Sequence, residues 1–399
     1  MRSLFLFLSL LSGLYASTAL SLDEILHSVK KNHPLLHAMQ AQHASAQAEN
    51  RGDNAQKPMV LFGDGAYVDP DADADEDGYE YSVGIVQNIR INESQKNTYD
   101  AARYQSDADH LEMQRSFILL QNQIKSLYHT SCLDHQKVKQ FTTSYNAFAS
   151  LYAKKEKAYN YGEISKKELL QLQIELKHFK RILQTYLSKQ TISRDELQAV
   201  IALPELNEQP LSCQDLYPII TKHIDSANIS YLSEQAIDKR IQSAQSSGSL
   251  YDTNFESIDV ELRYDNELDQ DRYVLGFAIP LAFTSSTNEE KHAAALHQKS
   301  ALEYERKNLL EQKSTQLKML EKKLAEHVRG IESMSQIVKS YHGELMPLIE
   351  TSYRLGESSA IEYLLSKREA WALQKELIET KKNYYTTLFE LNSVTETKE

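Results

Sequence analysis

The sequence predicts a mainly α protein with a minor β part, in which very long coiled-coil helices accompany four short strands. Three observations carry this. Pro and Gly, the punctuation of a chain, are absent between Gly84 and Gly162 and again between Pro280 and Gly330. Apolar residues recur every seven positions through both stretches, the mark of helices wound on partners. Four short segments instead alternate apolar and polar residues with the period of two that belongs to strands.

The chain opens with a basic Arg2, an apolar run from Leu4 to Leu14, and small residues at Ser17 and Ala19. This is the pattern of a secretory signal peptide over 1–19, cut before Leu20 and too short to span a bilayer. With no Cys near the cut, no lipid attachment is expected. The formal net charge is −12 with no basic tract, which argues against nucleic-acid binding. No later segment has the apolar length of a transmembrane helix. An exported chain of this kind is either soluble beyond the inner membrane or a β-barrel. Cys132 and Cys213 permit one disulfide in an oxidising compartment.

Each Gly- and Pro-free stretch reads as one long helix. From about Asn92 to about Ala158 it would extend roughly 100 Å, too long for a globular domain. Its seam runs Phe117, Ile124, Ser131, Val138, Tyr145 and Tyr152, with companions Leu127, Phe141 and Phe148. The second helix repeats it as Leu310, Leu317, Leu324, Ile331, Val338 and Leu345, with Leu320, Met334 and Tyr341. The two ladders are 193 residues apart. Strand residues Tyr81–Ile85 match Tyr273–Phe277, and the turn Tyr159–Glu168 matches Tyr353–Glu362, at shifts between 192 and 194. The sequence therefore reads as an internal duplication. A first repeat over 20–210 and a second over 211–399 share one layout: short helix, hairpin, long helix, Gly turn and return helix. The boundary falls where Pro204 and Pro210 end the helical pattern.

In the second hairpin Ile258, Val260, Leu262 and Tyr264 form one face, as do Tyr273, Leu275, Phe277 and Ile279 on its partner. In the first, Tyr79, Tyr81, Val83 and Ile85 do the same, while Met59–Val68 is weaker, with Gly63 and Gly65 on one face. Such strands suit a membrane barrel; they equally suit a small soluble sheet packed on a helix. Four strands cannot close a barrel, and an open sheet in lipid leaves edge groups unpaired at several kcal/mol each. Lipid-facing hairpins thus require several chains.

Together these features resemble the outer membrane efflux protein family, the TolC-like channels, over the whole mature chain. The similarity rests on Leu22-Asp23-Glu24-Ile25-Leu26, Val29 and His33-Pro34-Leu35-Leu36; on Pro58 before the first strand; on the strand exit Ile279-Pro280-Leu281; and on the duplicated turn with Tyr159, Gly162, Ser165 and Glu168, then Tyr353, Gly356, Ser359 and Glu362. The first repeat departs at Gln87-Asn88-Ile89-Arg90, which lacks the exit Pro and leaves that strand's end open. The resemblance implies a homotrimer in which four strands per chain build a twelve-stranded β-barrel in outer-membrane lipid. The helices continue it as an α-helical barrel into the periplasm. It also implies docking to a periplasmic adaptor (membrane fusion) protein and an inner-membrane efflux pump, with no cofactor. The family's inter-repeat linker lies near mid-tunnel, which makes a Cys132–Cys213 disulfide a hypothesis to test.

Gly162 and Gly356 can take the left-handed conformation that ends a helix. Ser165 and Ser359 can cap the next one, with Glu168 and Glu362 completing capping boxes. Under the resemblance these turns, with Tyr159, Glu163, Tyr353 and Glu357, are the tip where the adaptor docks. Glu168, Glu175, Glu362 and Glu369 are candidates for acidic pore rings, against the plainer reading of a solvated helix face. The acidic loop Asp69–Gly78 fails as an EF-hand, because position twelve from Asp73 is Gly84. His33 and His37 are spaced for a metal, but Pro34 interrupts them, and none is assigned. His327 falls in the seam. No catalytic motif is present, so an enzyme is not expected. The expectation is a passive exit duct driven by its pump. Its rivals are a type I protein secretion duct and a periplasmic coiled-coil adaptor or scaffold. Cargo, whether metal ion, drug, bile salt or protein, is not encoded in these motifs.

Overall fold

The computed structural model describes residues 19–68, 78–91, 93–206, 209–214, 216–223, 229–252, 255, 257–281 and 286–397. Residues 1–18 of the expected signal peptide, 69–77 of the acidic loop, and Asn92 lie outside the described residues.

Helix α1 (Leu22–Asn32) is opened by Ser21, whose hydroxyl accepts from the Glu24 amide while the Glu24 carboxylate accepts from the Ser21 amide. Asp23 and Glu24 in its first turn, and Lys30 and Lys31 in its last, suit the helix dipole. His33 is extended, as a residue before proline must be, and Pro34 starts α2 (Pro34–Asn54). Strands β1 (Val60–Val68) and β2 (Gly78–Arg90) precede α3 (Ser94–Asn160), which runs unbroken for 67 residues. Helix α4 (Lys166–Ile201) returns. A linker that begins with a short 3-10 turn at Pro204–Leu206 then leads to α5 (Leu232–Tyr251), β3 (Ser257–Asn266), β4 (Asp271–Ala278) and α6 (Thr287–Ser340). Next come α7 (Met346–Leu355) and α8 (Ala360–Thr395). Among the described residues no helix is long and apolar enough to cross a membrane.

The chain divides into two compact units. One is Ala38–Ser116 with Ala227–Ser314, and it holds the strands. They form one antiparallel sheet in the order β1-β2-β3-β4. Without an exit Pro, β2 continues to Arg90 and pairs with β3 as far as Ser257. Phe62 lies across Gly84, where a Cβ would come within 2.5 Å of its ring.

The other unit holds α1, the rest of α3, α4, the linker, the rest of α6, α7 and α8. One core gathers Ile25, Val29, Ile124, Tyr128, Leu197 and Ile201 around Cys132. A second gathers Phe141, Phe148, Leu172, Phe179, Leu364 and Trp371, with the Trp371 ring 4.3 Å from Phe179 and 5.2 Å from Phe141.

The seam corrects the sequence reading in two places. Leu317, Leu324 and Ile331 are buried, but Val328, rather than His327, is the buried residue between the last two. The ladder also does not reach Leu345. Tyr341–Leu345 form a π-turn, with the Met346 amide donating to the Tyr341 carbonyl. The extra residue rotates the register, so Leu345 is 43% exposed and Met346 only 3%. Pro347 follows at the start of α7. It lacks an N–H and would clash with the carbonyl four residues back, and the widened turn relieves both conflicts.

Candidate functional site

The register places Leu61, Ile85, Leu262 and Leu275 in one row across all four strands. They are 73%, 38%, 53% and 58% exposed. Val83, Tyr264 and Tyr273 make the next row and Val260 and Phe277 another, with Tyr67 opposite Tyr79 nearer the loop end. The other face is mixed, carrying Phe62, Val86 and Val274 beside its polar and charged groups. Ser82 donates to Asp64, and Arg263 Nε lies 2.8 Å from Asp265, which Arg272 also approaches. The alternation thus gathers a contiguous apolar face and places the sheet's charged groups on the other, and the chain's own helices leave the apolar face uncovered. Soluble proteins rarely leave such a surface in water. β1 and β4 are the sheet's two edges, each with a row of backbone groups that another strand can pair.

In the helical unit, Gly162 and Gly356 have φ of 74° and 80°. Both turns close alike: the glycine amide donates to Tyr159 or Tyr353, and the amide of Glu163 or Glu357 donates to Ala158 or Ser352. This double closure satisfies the last carbonyls of each preceding helix. The two turns differ in their caps. Ser359 and Glu362 form the full capping box. Ser165 accepts from the Glu168 amide, but the Glu168 carboxylate lies 3.8 Å from Lys155 instead. Lys155 also sits over the Tyr353 ring, 5.7 Å from its centre, and so links the first turn to the second. Tyr353 stacks on Tyr363.

Of the four pore candidates, Glu168 faces Lys155, Glu175 lies 3.8 Å from Arg368, Glu362 caps α8, and Glu369 is exposed. The His33 and His37 spacing makes no metal pair. His33 is buried, accepts from the Leu35 amide at Nδ1 and donates from Nε2 to the Val200 carbonyl, whereas His37 is exposed. Cys132 and Cys213 are bonded, their Cα atoms 5.3 Å apart.

Sequence reasoning missed how the linker is held. Beside a short backbone bridge, in which Leu20 donates to Pro210 and Ser212 to Leu20, side chains satisfy several of its backbone groups. Tyr128 donates to the Ser212 carbonyl, Tyr385 to Tyr217 and Tyr384 to Ile220, while Lys222 donates to Asn392. The Tyr217 amide donates to Nε2 of His129, which fixes Nδ1–H as donor to the Lys125 carbonyl at 2.7 Å. Burial pushes the His129 pKa down to about 4 and the Tyr385 hydroxyl up to about 12. Buried Asp134 and Lys137 were also missed. Lys137 bonds Asp134 and Glu379 at 2.9 and 2.8 Å, and Lys382 bonds Asp134 at 3.0 Å. Burial alone would lower the Lys137 pKa, but its hydrogen bonds to Glu379 and Asp134 outweigh it and raise the value. The available signal was a charge pair three apart inside an apolar helix face.

No known protein family matches the chain, and neither does any curated protein. Solved structures do. The outer membrane protein VceC of Vibrio cholerae aligns with a TM-score of 0.77 at 13% identity, covering 94% of this chain and 96% of that one. The CmeC outer membrane channel of Campylobacter jejuni gives 0.80 at 13%, covering 94% and 85%. The chain has the TolC-like channel fold. The open-state MtrE outer membrane channel of Neisseria gonorrhoeae matches this TolC-like chain at 0.76 and 12%, covering 94% and 88%. At such identities what is shared is the fold, and within it the long helices and the four-stranded sheet are the common frame.

Proposed function

We propose that this chain is one of three subunits of a passive outer-membrane channel, with its sheet in lipid and its helices in the periplasm. The observation that carries this is the uncovered apolar face of a sheet with two open edges. In lipid the face is satisfied by acyl chains, but the edges are not, and unpaired groups there cost several kcal/mol each. Neighbouring copies satisfy them by pairing β4 of one chain with β1 of the next, twelve strands in all. The fold shared with solved outer-membrane channels supports this reading. The chain is then a duplication of two halves, 20–210 and 211–399.

In the same reading the channel is the exit duct of a tripartite efflux system fed by a periplasmic adaptor and an inner-membrane pump. The Gly162 and Gly356 turns, with Tyr159, Glu163, Ser165, Glu168, Tyr353, Glu357, Ser359 and Glu362, form its docking tip. Glu369 is the pore carboxylate best placed to act on cations, since Glu175 already faces Arg368. Outer-membrane fractionation followed by electrophoresis without heating tests the proposal. A detergent-dependent band at three times the chain mass is expected. A water-soluble monomer in the periplasm would overturn the channel and favour a scaffold.

A further inference from the structure

In the sheet-bearing unit, His43 of α2 and His110 of α3 lie with ring centres 5.2 Å apart and planes at 38°. Nδ1 of each is buried and makes no hydrogen bond. The opposite nitrogen of each, Nε2, meets the amide nitrogen of a glutamine one turn along its own helix: Gln47 at 2.9 Å and Gln114 at 2.8 Å. Two His-Gln pairs at the same spacing thus converge from two helices. A glutamine amide turned by half a rotation presents its oxygen to Nε2–H, which leaves the lone pair on Nδ1. That is the outer-shell arrangement found behind metal-bound histidines.

We propose that His43 and His110 bind a tetrahedral divalent cation of the zinc type through their Nδ1 atoms, with Gln47 and Gln114 orienting the rings. The ring separation is compatible with that geometry. With metal–nitrogen bonds of about 2.0 Å and a tetrahedral angle, two imidazole centres stand about 5.1 Å apart, whereas a linear two-coordinate ion needs roughly 6.2 Å. Among the described residues no group of three or more His, Cys, Asp and Glu is placed to hold a metal. In this proposal water fills the remaining positions, which makes the site an exchangeable one rather than a closed structural one.

The test uses the full chain purified in detergent and titrated with Co2+, whose visible absorption reports tetrahedral nitrogen ligation, and then with Zn2+ in competition. One saturable Co2+ per chain, displaced by Zn2+, is the expected result. His43→Ala and His110→Ala should each weaken binding at least tenfold. Gln47→Ala with Gln114→Ala should weaken it about tenfold, and His327→Ala should leave it unchanged. Wild-type protein that shows no tetrahedral Co2+ spectrum at millimolar Co2+ would overturn the site whatever the variants do. So would a spectrum that survives in the folded double histidine variant.

Discussion

The chain reverses direction at single residues. Gly162 and Gly356 sit at φ values that cost an L-residue with a Cβ roughly 1–2 kcal/mol, and each is followed by a serine cap worth about 1 kcal/mol. His129 acts at the same scale, as the acceptor for a linker amide. Its folded pKa of about 4 lies below the ordinary 6.5, so an unfolded chain takes up the proton first as pH falls. The stabilisation from keeping it neutral is complete above pH 6.5 and is lost progressively down to pH 4, by about 3 kcal/mol in all. Denaturation of the wild type and of His129→Asn across this window should show the variant's stability falling less steeply. Parallel slopes would mean that other groups carry the acid sensitivity. Asp134 and Lys137 are buried charges matched inside the fold. Removing Asp134 leaves Lys137 with Glu379 alone, and removing Lys137 leaves Asp134 with Lys382 alone, so each single loss should stay below the about 3–5 kcal/mol of a buried pair broken outright.

At the scale of elements, what the sequence made legible follows from repetition. Seven-residue spacing located α3 and α6, strict alternation located β2, β3 and β4 and their faces but marked β1 only weakly, and Gly-x-x-Ser located both turns. What escaped was non-local or singular. Nothing near Tyr384 says that its hydroxyl serves the Ile220 backbone, and Pro347 lies beyond the seam it disrupts. The π-turn gives a direct test of register. Deleting Gly343 together with Pro347→Ala removes both the extra residue and the proline that requires it and brings Met346 onto the seven-residue ladder, so stability should change by about 1 kcal/mol or less. Deleting Gly330 instead throws Ile331 and every later seam residue off the core face, a loss of several kcal/mol by the usual cost of emptied core positions. Equal effects of the two deletions would mean that the ladder does not set the packing. The linker answers to a different element. Cys132 and Cys213 close 81 residues, for which chain-entropy arguments give about 4–5 kcal/mol. Reduction should lower the melting temperature and expose the segment after Cys213 to protease, while a reduced protein cut no faster would show that the tyrosines and His129 hold it unaided.

For the whole molecule the question is what covers the apolar sheet face, since no single chain does so. Two surroundings compete, lipid and a protein partner in water, and they respond differently to charge. Leu275 and Ile85 lie in the central apolar row, while Ser82 lies on the opposite face beside Asp64. In a barrel, an arginine on the lipid side costs about 2–4 kcal/mol at mid-bilayer, whereas the water-filled interior tolerates a lysine. Leu275→Arg and Ile85→Arg should therefore lower the yield of membrane-inserted trimer and leave the helical unit folded, while Ser82→Lys should insert normally and alter only conductance. A sheet buried against a soluble partner reverses part of this pattern: Leu275→Arg would release soluble, folded protein with no membrane phenotype. Insertion that is indifferent to arginine on the Leu275 face and sensitive to lysine at Ser82 would place the lipid on the other side of the sheet. The charged belt of Arg263, Asp265 and Arg272 would then sit in hydrocarbon, an arrangement the desolvation cost of three ions makes untenable.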